Sequence, residues 1–263
     1  MTDALTSLSS TPSHLHRLAE RWGLSRFIFY ERIDSTQNVA RALMDSGAPA
    51  WTLVAADYQA AGRGQHGRSW FSEPGASLMF SLLLRPASVE EAALLPIRTG
   101  LAIIAALDPF LVREARPMLK WPNDIIIADG KAGGVLCESQ LRNDEVGVIA
   151  GVGLNIHRFP VEITDRPDIR PVFLAEHLHA SVDRLDLLDA IMQSFRERLH
   201  NPGNVLRDDE LRTYARHDWL YGRRLQSPVS GVAAGITHEG HLRITADDGS
   251  IRDFVAGRAV LAT

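Results

Sequence analysis

The segment from Lys120 to Ile156 constrains the fold more than any other. It holds three β-type runs: Ile125-Ile126-Ile127, entered through Lys120-Trp121-Pro122-Asn123-Asp124; then Lys131 to Glu138; then Glu145 to Ile156. Asp129-Gly130 is a tight-turn signal between the first two, and only the six residues Ser139 to Asp144 separate the second from the third. A parallel pair needs a crossover of about a dozen residues or more, so these neighbours pair antiparallel. A doubly wound parallel sheet is thereby excluded. Gly133, Gly134, Gly151 and Gly153 stand inside the strands, where a missing side chain marks the close approach of another backbone or a ligand. Cys137 lies mid-strand among apolar residues and reads as core filler rather than nucleophile.

A second stretch carries the chemistry. Gly62-Arg63-Gly64-Gln65-His66-Gly67-Arg68-Ser69-Trp70 places three glycines and two arginines in one loop. Its backbone is free to take positive φ and to approach a ligand closely, and its cations can wrap an anion. Trp70 adds a flat ring suited to stacking on a nucleobase. The loop therefore reads as a phosphate-plus-base site. Gly62, Gly64 and Gly67 also satisfy G-x-G-x-x-G, and Gly62 to Ser69 approaches a P-loop with Arg68 in the lysine position. Both motifs need a helix immediately afterwards, and Trp70-Phe71-Ser72-Glu73-Pro74-Gly75 reads as extended chain and turn.

The 263 residues, 45% hydrophobic and 23% charged, suit a large domain with or without a small one. A net charge of −4 argues against general DNA or membrane binding. The single cysteine forbids an intrachain disulfide and fits a reducing compartment, so the cytoplasm is expected; no leader and no run of about 18 apolar residues is apparent. Residues 1–12 read as a polar tail, and Ser13 as the cap of a short helix ending at Gly23, too little chain for a DNA-reading module. A strand at Arg26 to Ile33 leads through Asp34-Ser35-Thr36 into a helix, Gln37 to Asp45, whose N-terminus can also face a small polar ligand. Trp51 to Tyr58 and Ser77 to Leu84 read as strands flanking the glycine loop. Ser88-x-x-Glu91 is a capping box opening a buried helix to about Leu107, interrupted near Pro96. Residues 157–180 read as irregular. Helices follow at Arg184 to Leu199 and about Asp208 to Trp219. Beyond Tyr221-Gly222, the runs Arg223 to Pro228, Val232 to Thr237, Leu242 to Ala246 and Ile251 to Ala256 predict a small barrel of SH3-like size.

Taken in order, Asp34-Ser-Thr, Gln59-Ala-Ala-Gly-Arg-Gly-Gln-His-Gly-Arg-Ser-Trp70, Lys120-Trp-Pro-Asn-Asp124, Lys131-Ala-Gly-Gly-Val-Leu-Cys-Glu138 and Gly151-Val-Gly-Leu-Asn155 resemble the biotin protein ligases. The resemblance covers nearly everything after residue 25. It implies an α+β fold: a central domain (26–221) like that of class II aminoacyl-tRNA synthetases, with a mixed, largely antiparallel sheet, plus a C-terminal SH3-like β-barrel (222–263). Residues 1–25 are a tail and short helix, as in the non-regulatory type without an N-terminal DNA-binding domain. It implies biotin and ATP as substrates, Mg²⁺, and the biotin carboxyl carrier protein of acetyl-CoA carboxylase as acceptor partner. A sheet edge could pair in a homodimer.

The resemblance also distributes roles. Ser35, Thr36, Gln37, Gln59 and Gly134 correspond to biotin-binding positions. Arg63, Gly64 and Gln65 belong to a flap over the biotin carboxylate and adenylate phosphate. Lys131 matches the lysine bridging those two anions, and with Arg63 is the catalytic expectation. Arg68, Trp70, Lys120, Asn123 and Asn155 fall to ATP, and Asp124 to Mg²⁺. Two positions depart: Gln65 stands where arginine is frequent, leaving one cation fewer on the intermediate, and Gln37 where asparagine is common. The rivals are a lipoate or octanoate ligase or transferase, which shares the core fold, and a non-catalytic ligand-sensing regulator.

Overall fold

A computed structural model describes residues 12–160, 169–200 and 202–262. In chain order the larger part holds α1 (Pro12–Trp22), β1 (Arg26–Ile33), α2 (Thr36–Asp45), β2 (Thr52–Gln59), β3 (Gly62–Arg63), β4 (Ser69–Trp70), β5 (Ser77–Leu84), α3 (Val89–Leu107), β6 (Met118–Lys120), β7 (Asp124–Ile127), β8 (Gly130–Arg142), β9 (Glu145–Asn155), α4 (Arg184–Leu199) and α5 (Asp208–His217). The rest is β10 (Arg224–Ser227), β11 (Gly231–Ile236), β12 (Leu242–Ala246), β13 (Ile251–Phe254) and β14 (Val260–Leu261). The expected polar tail lies outside the described residues except Pro12, which opens α1 one residue before the Ser13 cap; residues 161–168 of the irregular stretch also lie outside them.

Seven strands form one sheet in the order β1-β2-β5-β9-β8-β7-β6. Only β1 and β2 run parallel, and α2 supplies the crossover that a parallel pair requires. The remaining neighbours are antiparallel, as the short connections dictate. Ala128 and Asp129 at one turn and Asn143 and Asp144 at the next take positive φ, the conformation that lets a tight hairpin follow the strand twist.

Period-two alternation gives this sheet two different faces. Leu53, Phe80, Leu82, Ala150 and Val135 join the main core with α3 and α4, where Phe80 and Phe195 approach with ring centroids 6.0 Å apart. On the other face, Val54, Leu83 and Ile149 pack beneath Ala40 and Met44 of α2. That helix covers only part of the face. The uncovered part holds Ser81, Gly134, Leu136, Gly151 and Gly153 in register.

Helix α3 runs unbroken through Pro96, where the sequence suggested an interruption. Burial on both sides of the proline holds the turn despite its missing N–H. With the short turn that follows it, the stretch Val89–Phe110 is long and apolar enough to cross a membrane by composition alone, with a mean hydropathy of 1.5, yet its most apolar part is 67% buried in the protein. Its one guanidinium, Arg98, is fully buried, and pairs with Glu210 at 2.9 Å while donating to the carbonyls of Pro202, Gly203 and Val205. Such a charge is tolerated inside only when so completely partnered.

The C-terminal strands form a separate antiparallel sheet ordered β13-β12-β11-β10-β14, including β14, which the sequence did not suggest. Its ladders describe an open sheet, with β13 and β14 at opposite edges. Leu225, Ala233, Leu242 and Ile244 share the core of the larger part. Trp121 donates to the Gly240 carbonyl at 3.0 Å, tying the larger part to the C-terminal sheet, and Trp219, in the segment leading to β10, donates to Asp129 at 2.8 Å.

Asp218 sits at this junction, 6% exposed, with one carboxylate oxygen accepting from the Leu220 amide at 2.9 Å. Burial pushes its carboxyl up to about 6 from 3.8, against the pull of the Leu220 and Tyr221 amides. A raised folded-state value means the folded protein holds the proton more tightly, so stability falls as pH rises from about 4 through about 6. Asp218→Asn is expected to remove this loss, worth on the order of 3 kcal/mol. In urea denaturation the variant should match the wild type near pH 4 and exceed it at pH 7; an unchanged difference across that range would remove Asp218 from the account.

Candidate active site

Local structure explains why polar groups gather on the uncovered sheet face. Ser35 is the N-cap position of α2 but makes no side-chain capping bond. Its hydroxyl is buried without a hydrogen-bond partner among the described residues. Thr36 donates to Gln59 Oε1 from its amide at 2.7 Å and from its hydroxyl at 3.0 Å, and that hydroxyl lies 2.9 Å from Ser81 Oγ. Ser81 bonds Gln37 Oε1 at 3.0 Å, and Gln37 Nε2 donates to the Ile149 carbonyl at 3.2 Å. This neutral chain of hydroxyls and amides closes one end of a cavity of about 210 Å³.

The other end is charged and aromatic. Lys131 Nζ lies 2.6 Å from Asp124 Oδ1 and 5.9 Å from the centre of the Trp70 ring. Asn123 donates to the Val135 carbonyl at 2.6 Å, and Asn155 to the Lys131 carbonyl at 3.3 Å, so both amides brace the strands around the lysine. Trp70 Nε1 is buried without a hydrogen-bond partner among the described residues. Buried indole N–H groups ordinarily find an acceptor; this one, like the Ser35 hydroxyl, belongs to a cavity-lining residue and is suited to a polar ligand.

Strand glycines make this arrangement fit. A Cβ on Gly151 would come within 2.5 Å of Gln37 Oε1, and one on Gly153 within 2.6 Å of the Trp70 indole. At Gly134 the nearest atom would be Lys131 Nζ at 3.4 Å, an ordinary contact, whereas Gly133 is crowded by Leu154 and the Gly153 carbonyl. The first two are ligand-side clearances and the last is strand packing.

The glycine loop is a two-stranded ribbon, β3 paired with β4, bridged by a short turn at Gln65–Gly67 where His66 and Gly67 take φ of 57° and 74°. No long helix follows, so neither a dinucleotide nor a P-loop reading holds. Ser35, Thr36, Gln37, Gln59, Arg63, Gly64, Gln65, Arg68, Trp70, Asn123, Asp124, Lys131, Gly134 and Asn155 all line the one cavity. Lys120 does not. It is 2% exposed, stands directly across the β6–β7 ladder from Asp124, and its ammonium lies 5.8 Å from the Trp219 ring centre. It sits beside Asp124 on the neighbouring strand, packed near Trp219 rather than on the cavity wall.

Lys131 Nζ stands against Asp124 Oδ1, and among the described residues no group of three or more His, Cys, Asp or Glu suited to a metal converges; Mg²⁺ arriving with ATP phosphates needs only one or two protein carboxylates. Cys137 alternates to the opposite sheet face, where burial pushes its thiol up to about 12 despite a bond from Thr99; it is no nucleophile near neutral pH. The sequence assigned no role to Ser81, Leu136, Phe159, Ile169 and Pro171, which also line the cavity. A serine in the middle of the buried run Ser77–Leu84 was the one available signal. The clearance at Gly151 is testable without a ligand: Gly151→Ala should cost about 1–3 kcal/mol by overpacking Gln37. Chemical denaturation reads this, and a neutral result would contradict the close approach.

Residues 29–155 match the Biotin/lipoate A/B protein ligase family. The Biotin--[acetyl-CoA-carboxylase] ligase of Paracoccus denitrificans is 34% identical over 168 residues, covering 62% of this chain and 69% of that protein. The bifunctional ligase/repressor BirA of Bacillus subtilis is 29% identical over 257 residues, covering 92% and 78%. Among solved structures, the biotin protein ligase of Aquifex aeolicus in complex with biotin and ATP superposes with a TM-score of 0.73 at 26% identity, covering 91% of this chain and 99% of that one. By sequence and by fold, this chain belongs to the biotin protein ligases of the biotin/lipoate protein ligase family.

Proposed function

We propose that the protein activates biotin with ATP to biotinyl-5′-AMP, releasing pyrophosphate, and then transfers the biotinyl group to a lysine of the biotin carboxyl carrier protein of acetyl-CoA carboxylase. The observation that carries this reading is a single cavity whose neutral amide-and-hydroxyl end, cationic centre and indole wall match the three parts of that intermediate. Biotin's ureido ring offers a carbonyl and two N–H groups, which suit Ser35, Thr36, Gln37, Gln59 and Ser81. Its carboxylate and the α-phosphate suit Lys131 and Arg63, and adenine suits Trp70.

In the first step a carboxylate oxygen forms a bond to the α-phosphorus and the bond to pyrophosphate breaks. Biotin itself supplies the nucleophile, so no protein nucleophile is required. The chain must hold two anions together and stabilise charge on the phosphorus oxygens. Lys131 is suited to this because Asp124 balances and orients its ammonium within the cavity until substrate anions compete for it. Mg²⁺ enters as part of the Mg-ATP substrate. In the second step the acceptor amine attacks the mixed anhydride and AMP leaves, while the flap excludes water. Gln65 contributes no charge there, so Gln65→Arg is a natural probe of intermediate retention. The unpaired cysteine and the ATP requirement support the cytoplasm as the working compartment. We assign residues 26–221 to the ligase domain and 222–263 to an SH3-like accessory domain.

Incubation with a biotin carrier domain and Mg-ATP should add one biotinyl mass to that domain, with no addition when ATP is omitted or lipoate replaces biotin. Labelling by lipoate alone would overturn the substrate assignment. Loss of one fixed charge donor typically removes about 2–4 kcal/mol of transition-state stabilisation. Lys131→Ala should therefore slow biotin-dependent pyrophosphate exchange at least about a hundredfold, and a near-normal rate would exclude Lys131 from the chemistry.

A further inference from the structure

Glu138 ends the motif that begins at Lys131, lies two residues beyond the cavity-lining Leu136 on the same face of β8, and has no role in the chemistry described above. Its carboxylate is held from two elements. Arg63 of the flap donates from Nη2 to Oε1 at 2.9 Å and from Nη1 to Oε2 at 3.2 Å. Arg41 of α2 reaches Oε2 at 2.8 Å. Arg63 also donates to Asn38 Oδ1 of α2 at 3.2 Å, and Asn38 and Arg41, three apart, share one helix face. Burial would raise the Glu138 carboxyl, but its bonds to Gln37 and Arg41 and the charges of Arg41 and Arg63 outweigh it and hold it below the usual range. The carboxylate is thus ionised wherever the enzyme would work.

The flap has two points of attachment with distinct physics. Trp70, in β4, lies against Gly153 on the sheet. Arg63, in β3, is forked onto Glu138, and such two-pronged guanidinium–carboxylate geometry fixes orientation as well as position. With Gln65 neutral at the flap turn, this fork is the charged fastening on the β3 side.

We propose that Glu138 is a positioning residue which, by fixing Arg63 against α2 and β8, keeps the flap closed over the activated intermediate. The inference rests on the ligase reading and deepens it. Glu138 touches no reacting atom, so its effect must pass through Arg63. The test is the dissociation rate of synthetic biotinyl-5′-AMP from four proteins: wild type, Glu138→Gln, Arg63→Ala and the double variant. A partly exposed ion pair is worth up to about 1 kcal/mol, so Glu138→Gln should speed release about three- to fivefold when Arg63 is present. In the Arg63→Ala background it should change nothing, because coupled residues are not additive. Asn38→Ala, which removes the other acceptor of Arg63, should act in the same direction and carries the test if Glu138→Gln does not fold. An equal acceleration in both backgrounds, or none in the wild type, overturns the proposal while leaving the ligase reading intact. Failure of wild-type protein to bind the adenylate overturns both.

Discussion

A floor without side chains is the constraint on which the site depends. Gly134 and Gly153 stand opposite each other across β8 and β9, and Gly151 stands opposite Leu136 two residues along. On that face a side chain would fill the space occupied by the Gln37 amide and the Trp70 indole. The same alternation supplies Val54, Leu83 and Ile149 beneath α2, so one helix is seated on the apolar half of the face and the polar half stays open. The opposite face carries the main apolar core and buries α3 and α4. A mixed sheet with one half-covered face is therefore both the scaffold and the cavity wall.

Charges are placed on this scaffold by pairing rather than by isolation. Lys131 faces Asp124, Arg63 faces Glu138, and Arg98 faces Glu210. The burial differs and so does the consequence. Arg98 is sealed with five acceptor contacts and serves the fold. Lys131 keeps 23% of its side chain open on the rim of a cavity where incoming anions can compete for it, and Arg63, 38% open, is held in place by its fork onto Glu138. An enzyme that brings two anionic groups together needs cations that are ordered beforehand yet still available.

Local signals made much of this legible. Short connections between β7, β8 and β9 dictated antiparallel pairing, and the strand glycines announced close approach before any neighbour was known. The missing helix after Trp70 disposed of two nucleotide motifs. What stayed hidden depends on partners distant in sequence. Nothing near Arg98 points to Glu210, 112 residues away, and Lys120 is indistinguishable from a cavity lysine until its burial beside Trp219 is known. Pro96 broke a helix on paper because propensity ignores the packing on either side. Glu138 read as a strand terminus, since a carboxylate's meaning lies in the two arginines that converge on it.

The central claim is that one cavity holds the vitamin and the nucleotide end to end across Lys131. A crystal structure with biotin and a non-hydrolysable ATP analogue tests it most directly. The ureido ring should bond within the Thr36, Gln37, Gln59 and Ser81 group, adenine should lie on Trp70, and Lys131 Nζ should sit between the carboxylate and the α-phosphate. Either molecule bound outside this cavity, or Lys131 still engaged only by Asp124 with both anions elsewhere, would contradict it.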